Sequence, residues 1–274
     1  MLQEAADREA FMVRTSTGGR FSSLLVFLSI PFVLLITMPL AEMLTAPGLM
    51  DLVQTIKDPQ VLMALGRSLG TSVSAALICL VFGTPLAYLL ARKRFPGRKL
   101  VEGLVDLPIM IPHPVIGIAI LSLAGRNNML GRFLNDIGIS VMGTLTGIIT
   151  VLTFVGLPFY VNTVKNGFEA IPERLEKASR GLGAGMGSTF VRITLPLAWR
   201  SMILGMIMCT ARAISEFGAI VIVAYHPMTA PVLIYERFTA YGLKYSQPVA
   251  VWLILLSFCL FVVMRLFSRS TERP

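Results

Sequence analysis

Six long apolar segments, separated by short charged ones, dominate this chain. They run approximately over residues 23–44, 66–91, 103–124, 138–163, 195–225 and 247–268. About 20 consecutive apolar residues carry a helix across the ~30 Å of bilayer hydrocarbon, and each segment reaches that length. Inside lipid a helix satisfies its own backbone hydrogen bonds, so the pattern predicts an all-α membrane protein with six transmembrane helices. Composition agrees: 55% of the residues are hydrophobic and only 14% charged, whereas soluble domains carry about 25% charged residues.

The first apolar segment follows a basic lead, as a signal peptide does. The lead is long for an n-region, and the segment exceeds the 7–15 residues or so of a typical h-region, so it reads as a retained span.

The net charge is +9. Its placement excludes the usual partner of a basic protein. Lys and Arg gather in short pieces between apolar runs, and no basic stripe with interleaved aromatics offers a nucleic-acid surface. Seventeen of the 24 Lys and Arg fall in residues 1–22 and in the pieces after the second, fourth and sixth segments. Lys57, Arg67, Arg126, Arg132, Arg237 and Lys244 lie in the alternate loops, and Arg212 sits inside the fifth segment. The positive-inside rule then puts both termini in the cytoplasm. Cys79, Cys209 and Cys259 each sit in an apolar segment without a close-spaced mate, which predicts small buried hydrophobes rather than metal ligands or disulfides.

The piece between the fourth and fifth segments, residues 165–197, carries the most information. Pro172 suits a first helical position, Glu173 and Glu176 the positive end of the dipole, Lys177 and Arg180 the negative end, and Gly183 the stop. Ile171, Leu175, Ala178 and Leu182 recur at spacings of four, three and four. They form one apolar stripe on a charged helix too short to be stable alone. The stripe packs either on the chain's own cytoplasmic ends or into a groove on a partner protein. The glycine-rich run after it, Gly181 to Thr189, is no phosphate cradle. Met186 and Gly187 precede Ser188 where a P-loop needs Lys, and a helix rather than a strand comes before.

Two polar groups of the apolar segments stand out. Arg212 and Glu216 lie four apart, with Ser215 between them, and so share a helix face. An unpaired charge at mid-bilayer costs about 2.5–3.5 kcal/mol, so both should face protein or a water-filled path. Arg212 then either biases the path toward anions or pairs structurally with Glu216. In the third segment Pro108, Pro112 and Pro114 break the helical ladder, giving either a bent helix lining the path or a static kink. His113 sits among them with no partner at metal spacing. Glu102 and Asp106 read as packing or interface residues.

The 165–197 stretch resembles the EAA loop of permease subunits of binding-protein-dependent ABC importers. That pattern is Glu-Ala-Ala, three residues, Gly, nine residues, Ile-x-Leu-Pro. Gly183 and Ala184 open the nine-residue stretch, Ile193, Leu195 and Pro196 close it, and Ala178 matches the first Ala. Lys177 and Ser179 depart from the pattern, and Glu176, one residue before the motif position, is turned about 100° away. The remainder, over residues 60–268, is similar to the molybdate/tungstate branch, with sulfate permeases nearby, through Leu107-Pro-Ile-Met-Ile-Pro-His-Pro-Val-Ile-Gly117 and Ala211-Arg-Ala-Ile-Ser-Glu-Phe-Gly-Ala219.

The resemblance implies a type I ABC importer permease fold. Residues 1–22 would be a cytoplasmic N-terminal segment, 23–44 the first span, 60–268 the permease core and 269–274 a cytoplasmic tail. It further implies a homodimer in the cell membrane, an external oxyanion-binding protein and two ATPase subunits. ATP and Mg would belong to those subunits, so this chain would be no enzyme and would bind no cofactor or metal. The resemblance implies molybdate or tungstate as the cargo, and the main rival is a permease for another oxyanion, sulfate or phosphate. An ion-coupled secondary transporter is the rival of a different class, but no internal repeat supports it and the loop would be unexplained.

Overall fold

The computed structural model describes residues 2–125 and 128–269, with side chains described between residues 21 and 266. The side chains of Arg8, Arg14 and Arg20, the loop residue Arg126 and the tail beyond residue 269 lie outside the described residues. The described residues form helices and connecting turns, with no strand among them. The chain divides into two units, residues 1–49 and 50–274.

In the first unit, α1 (Leu2–Thr45) is apolar on every side from Phe21 onward. Its hydroxyls turn back on the helix: Ser29 donates to the Leu25 carbonyl and Thr37 to that of Val33, both at 2.8 Å. Those two hydroxyls therefore need no water.

The second unit begins with a short amphipathic helix, α2 (Leu49–Lys57), and continues into α3 (Pro59–Arg92). Asp58 caps α3 by accepting from the Gln60 N–H at 2.8 Å. There follow α4 (Arg98–Met110), α5 (His113–Ala124), α6 (Met129–Asp136), α7 (Leu145–Ala170), α8 (Glu173–Gly181) and α9 (Met186–Ile214). Three more close the chain: α10 (Ile220–Val223), α11 (Ala230–Tyr241) and α12 (Leu243–Arg269). Among the described residues, five helices are long and apolar enough to cross a membrane: residues 21–45 of α1, with α3, α7, α9 and α12.

The sixth expected span, 103–124, is not one helix. It comprises the C-terminal part of α4 and all of α5, which meet at an angle of 115° and together count as one broken span. Pro112 and Pro114 bracket the corner, where neither residue can continue the backbone ladder.

The other boundaries move by several residues. The segment expected at 138–163 is α7, which runs on to Ala170, and the one expected at 195–225 already begins at Met186 and stops at Ile214. The 165–197 piece therefore shrinks to one short helix and two turns, and Arg192 and Arg200 lie on α9. Arg67, expected in an outer loop, lies two turns inside α3, where its guanidinium reaches the Met228 carbonyl at 3.4 Å.

Two helices carry a single wide, π-helical turn, at Cys79–Gly83 in α3 and Phe190–Thr194 in α9. In each case a proline, Pro85 or Pro196, follows within two residues and its ring crowds the carbonyl four residues back.

The core has two parts. One joins the ends of α3 and α7 with α9, around Tyr160, Val164, Phe168 and Leu90. The other, at the opposite end, joins α3, α7, α10, α11 and the start of α12 around Ile148, Leu152, Ile220 and Leu233. Small residues let α7 and α9 approach closely: a side chain on Gly156 would strike Cys209, and one on Gly205 would strike Tyr160 and Val164. Cys79 and Cys209 are buried as expected, whereas Cys259 is exposed on α12.

Candidate functional site

The helix α8 forms where the charge pattern predicts it. Pro172 sits one position earlier than expected, as the cap residue rather than the first helical one. The C-terminus closes as a Schellman turn: Ala184 N–H donates to the Ser179 carbonyl and Gly183 N–H to that of Arg180, at 3.2 and 3.0 Å. Gly183 has φ +89°, a left-handed conformation that glycine adopts without strain.

The apolar stripe does not stay together. Ile171 is buried in the helical core, while Leu175, Ala178 and Leu182 are exposed, Leu182 to 91%. The stripe is therefore not consumed by packing on the chain's own ends. Lys177, which replaces the motif glutamate, points outward and pairs with Glu173 at 3.1 Å. That hydrogen bond holds the Glu173 carboxyl below the usual glutamate range.

Glu176 takes the opposite face, in keeping with its turn of about 100° from the motif position. Its side chain is 8% exposed. One carboxylate oxygen, Oε1, accepts from Arg92 Nε at 2.9 Å and from Thr194 Oγ1 at 3.1 Å. The other, Oε2, accepts from the Tyr88 hydroxyl at 3.3 Å. Arg92 also donates from Nη2 to the Ile171 carbonyl at 2.8 Å. Beneath this cluster the rings of Tyr88, Phe168 and Phe190 pack together, with centroids 4.7 to 6.3 Å apart. Arg92, Tyr88 and Thr194 escaped the sequence reading. Arg92 is one of five basic residues in a run of eight, and nothing in its spacing to Glu176 marks the pair.

Of the remaining loop residues, Ala184, Ile193 and Leu195 are half-buried and Pro196 is exposed. Glu102 joins Lys165 at 2.6 Å and Arg98 at 3.2 Å, and Asp106 accepts from Asn162 at 2.7 Å, so both acids pack α4 against α7.

The second cluster lies where the breaks after α4 and α9 meet. Arg212 Nη2 donates to Glu216 Oε2 at 2.9 Å. Glu216 lies past the helix end rather than within the span and is 1% exposed, and its Oε1 accepts the Ala219 N–H at 3.0 Å. His113, which the sequence left without a partner, reaches the same Oε2 with Nδ1 at 2.5 Å, and both of its ring nitrogens lie within 2.8 Å of Arg212 Nη2. Pro112, Pro114 and Ser215 are exposed around it, and Ser215 Oγ donates to the Arg212 carbonyl at 3.1 Å. A buried carboxylate paired with an arginine is a compensated charge, and the imidazole ring packs against the pair. Two glycines hold it close: a side chain on Gly218 would press on His113 and Pro114, and one on Gly117 would strike the Ala219 carbonyl and Ile222.

The sequence pattern of the binding-protein-dependent transport system inner membrane components matches residues 83–273, a stretch that contains both clusters. The chain belongs to this family. The molybdate/tungstate transport system permease protein of Thermococcus kodakarensis is 47% identical to this inner membrane component, over 78% of this chain and 81% of that protein. The corresponding permease of Methanocaldococcus jannaschii is 45% identical over 90% of this chain and 96% of its own. A sulfate transport system permease of Synechocystis is more distant, at 29% over 90% and 91%.

Among solved structures, a chain of a bacterial ABC transporter involved in alginate import superimposes with a TM-score of 0.69 at 17% identity, over 92% of this chain and 96% of that one. A chain of the MetNI methionine ABC transporter gives 0.64 at 19%, over 78% and 96%. The inner membrane component therefore has the all-α, type I importer-permease fold, and it is a multi-pass membrane protein.

Proposed function

We propose that this chain is the transmembrane permease of an ATP-driven importer for molybdate and tungstate, working as a homodimer with two ATPase subunits and an external oxyanion-binding protein. The observation that carries the reading is α8: a short helix tied down on one face by Glu176 and presenting Leu175, Ala178 and Leu182 on the other. An apolar edge on a rigidly held helix is the form of a lever that seats in a partner's groove.

The relatives at 43–47% identity, each a molybdate/tungstate permease by name, support the substrate. The motor end is the end of α8. It carries Arg92, Lys93, Arg94, Arg98, Lys99, Lys165, Arg174, Lys177, Arg180 and Arg192, and by the positive-inside rule this charge supports a cytoplasmic side for it and for both termini. ATP and Mg belong to the motor, and this chain contributes conformational change rather than chemistry. Arg212, Glu216 and His113 hold the corner of the broken span against the end of α9, beside the path that the anion follows.

The test is reconstitution with the ATPase and binding protein in proteoliposomes. Uptake of labelled molybdate or tungstate should require ATP and the binding protein, and exceed sulfate uptake. ATP-independent uptake, or a preference for sulfate, would refute the assignment.

A further inference from the structure

The structure assigns Glu176 as the positioning residue that carries movement of α8 into α3 and α9, an inference that rests on the permease reading above. The exposed edge of α8 is suited to meeting a motor, but something inside must pass its motion to the spans. α8 is only nine residues long, and its charged surface has little to pack with. Beneath it, Glu176 grips three elements at once: Tyr88 and Arg92 from the end of α3, Thr194 from the start of α9, and, through Arg92, the Ile171 carbonyl at the end of α7.

The side chains of Arg92 and Glu176 are 7% and 8% exposed, so neither is part of the docking edge itself. Thr194 is also the last residue of the wide turn in α9, and α3 carries its own wide turn at Cys79–Gly83. Single π-turns inside α-helices recur at functional sites. A pull on Glu176 therefore reaches two long helices that each carry such an irregular turn. A looser tie would let α8 move on its motor while the spans stayed put.

The test separates coupling from docking and from folding. Glu176→Gln and Glu176→Asp are assembled with the ATPase and binding protein in proteoliposomes. Complex yield, ATP hydrolysis and labelled molybdate uptake are measured on equal amounts of assembled complex. We expect both variants to assemble and hydrolyse ATP within twofold of the parent. Uptake per ATP should fall at least tenfold for Gln and severalfold for Asp. Unchanged uptake per ATP would overturn the proposal, because a merely structural role lowers yield and not the ratio.

Should Glu176→Gln fail to accumulate, the double variant Tyr88→Phe with Thr194→Val leaves the ion pair and removes two donors. Its uptake per ATP should fall at least twofold, and parental uptake per ATP would likewise overturn the proposal. Failure of the permease reading shows separately, as absent ATP-driven uptake by the unaltered chain.

Discussion

Arg92 and Glu176 lie 84 residues apart in the chain and meet at 2.9 Å, one at the end of a long span and the other on a short helix outside it. The pair is buried and supplemented by Tyr88, Thr194 and the Ile171 carbonyl, so both carboxylate oxygens of Glu176 accept hydrogen bonds. Removing one partner of a buried pair leaves a desolvated charge without compensation. Glu176→Ala should therefore destabilise the folded chain by about 3–5 kcal/mol. Thermal unfolding in detergent checks this, and a melting temperature equal to the parent's would contradict it.

The exposed edge of α8 makes the opposite prediction. Leu182 is 91% exposed, so Leu182→Asp should leave the melting temperature within a degree or two of the parent. The same change should reduce co-purification of the ATPase at least tenfold, because a carboxylate would be driven into an apolar groove. Normal co-purification would mean that the motor docks elsewhere.

Arg212 faces Glu216 and His113 where the corner of the broken span meets the end of α9. Arg212→Gln keeps a hydrogen-bond donor but strips the compensating charge from a carboxylate that is 1% exposed. Uptake should fall at least fivefold while the complex with the ATPase still assembles. Uptake equal to the parent's would remove Arg212 from the mechanism.

Gly117 packs directly on the Ala219 carbonyl and Ile222, at 2.8 and 2.9 Å from where a Cβ would sit. Gly117→Ala should force α5 away from the segment after α9 and destabilise the chain by about 1–3 kcal/mol, as overpacking does. Gly66, with open space around it, is the control: Gly66→Ala should cost nothing measurable beyond its effect on helix propensity. Equal melting temperatures for the two variants would refute the close-packing account.

Both α8 and its terminating turn were legible in the sequence because their determinants are local. Proline at the start, acids first and bases last, and glycine at the left-handed position all act within one or two turns. The stripe was half legible. Periodicity groups Ile171 with Leu175, Ala178 and Leu182, yet Ile171 precedes the helix and turns into the core. The three prolines announced a break near residue 112, but nothing local set its 115° angle.

The apolar segments, the charge asymmetry and the 165–197 pattern determined a polytopic helical protein with a short charged helix between its fourth and fifth spans. They did so because length, periodicity and capping are properties of neighbouring residues. Only the tertiary structure decided that Glu176 faces inward onto Arg92, and that His113 completes the Arg212–Glu216 pair. Those partnerships join residues 84 and 103 positions apart, and which helix ends come together depends on how whole helices pack.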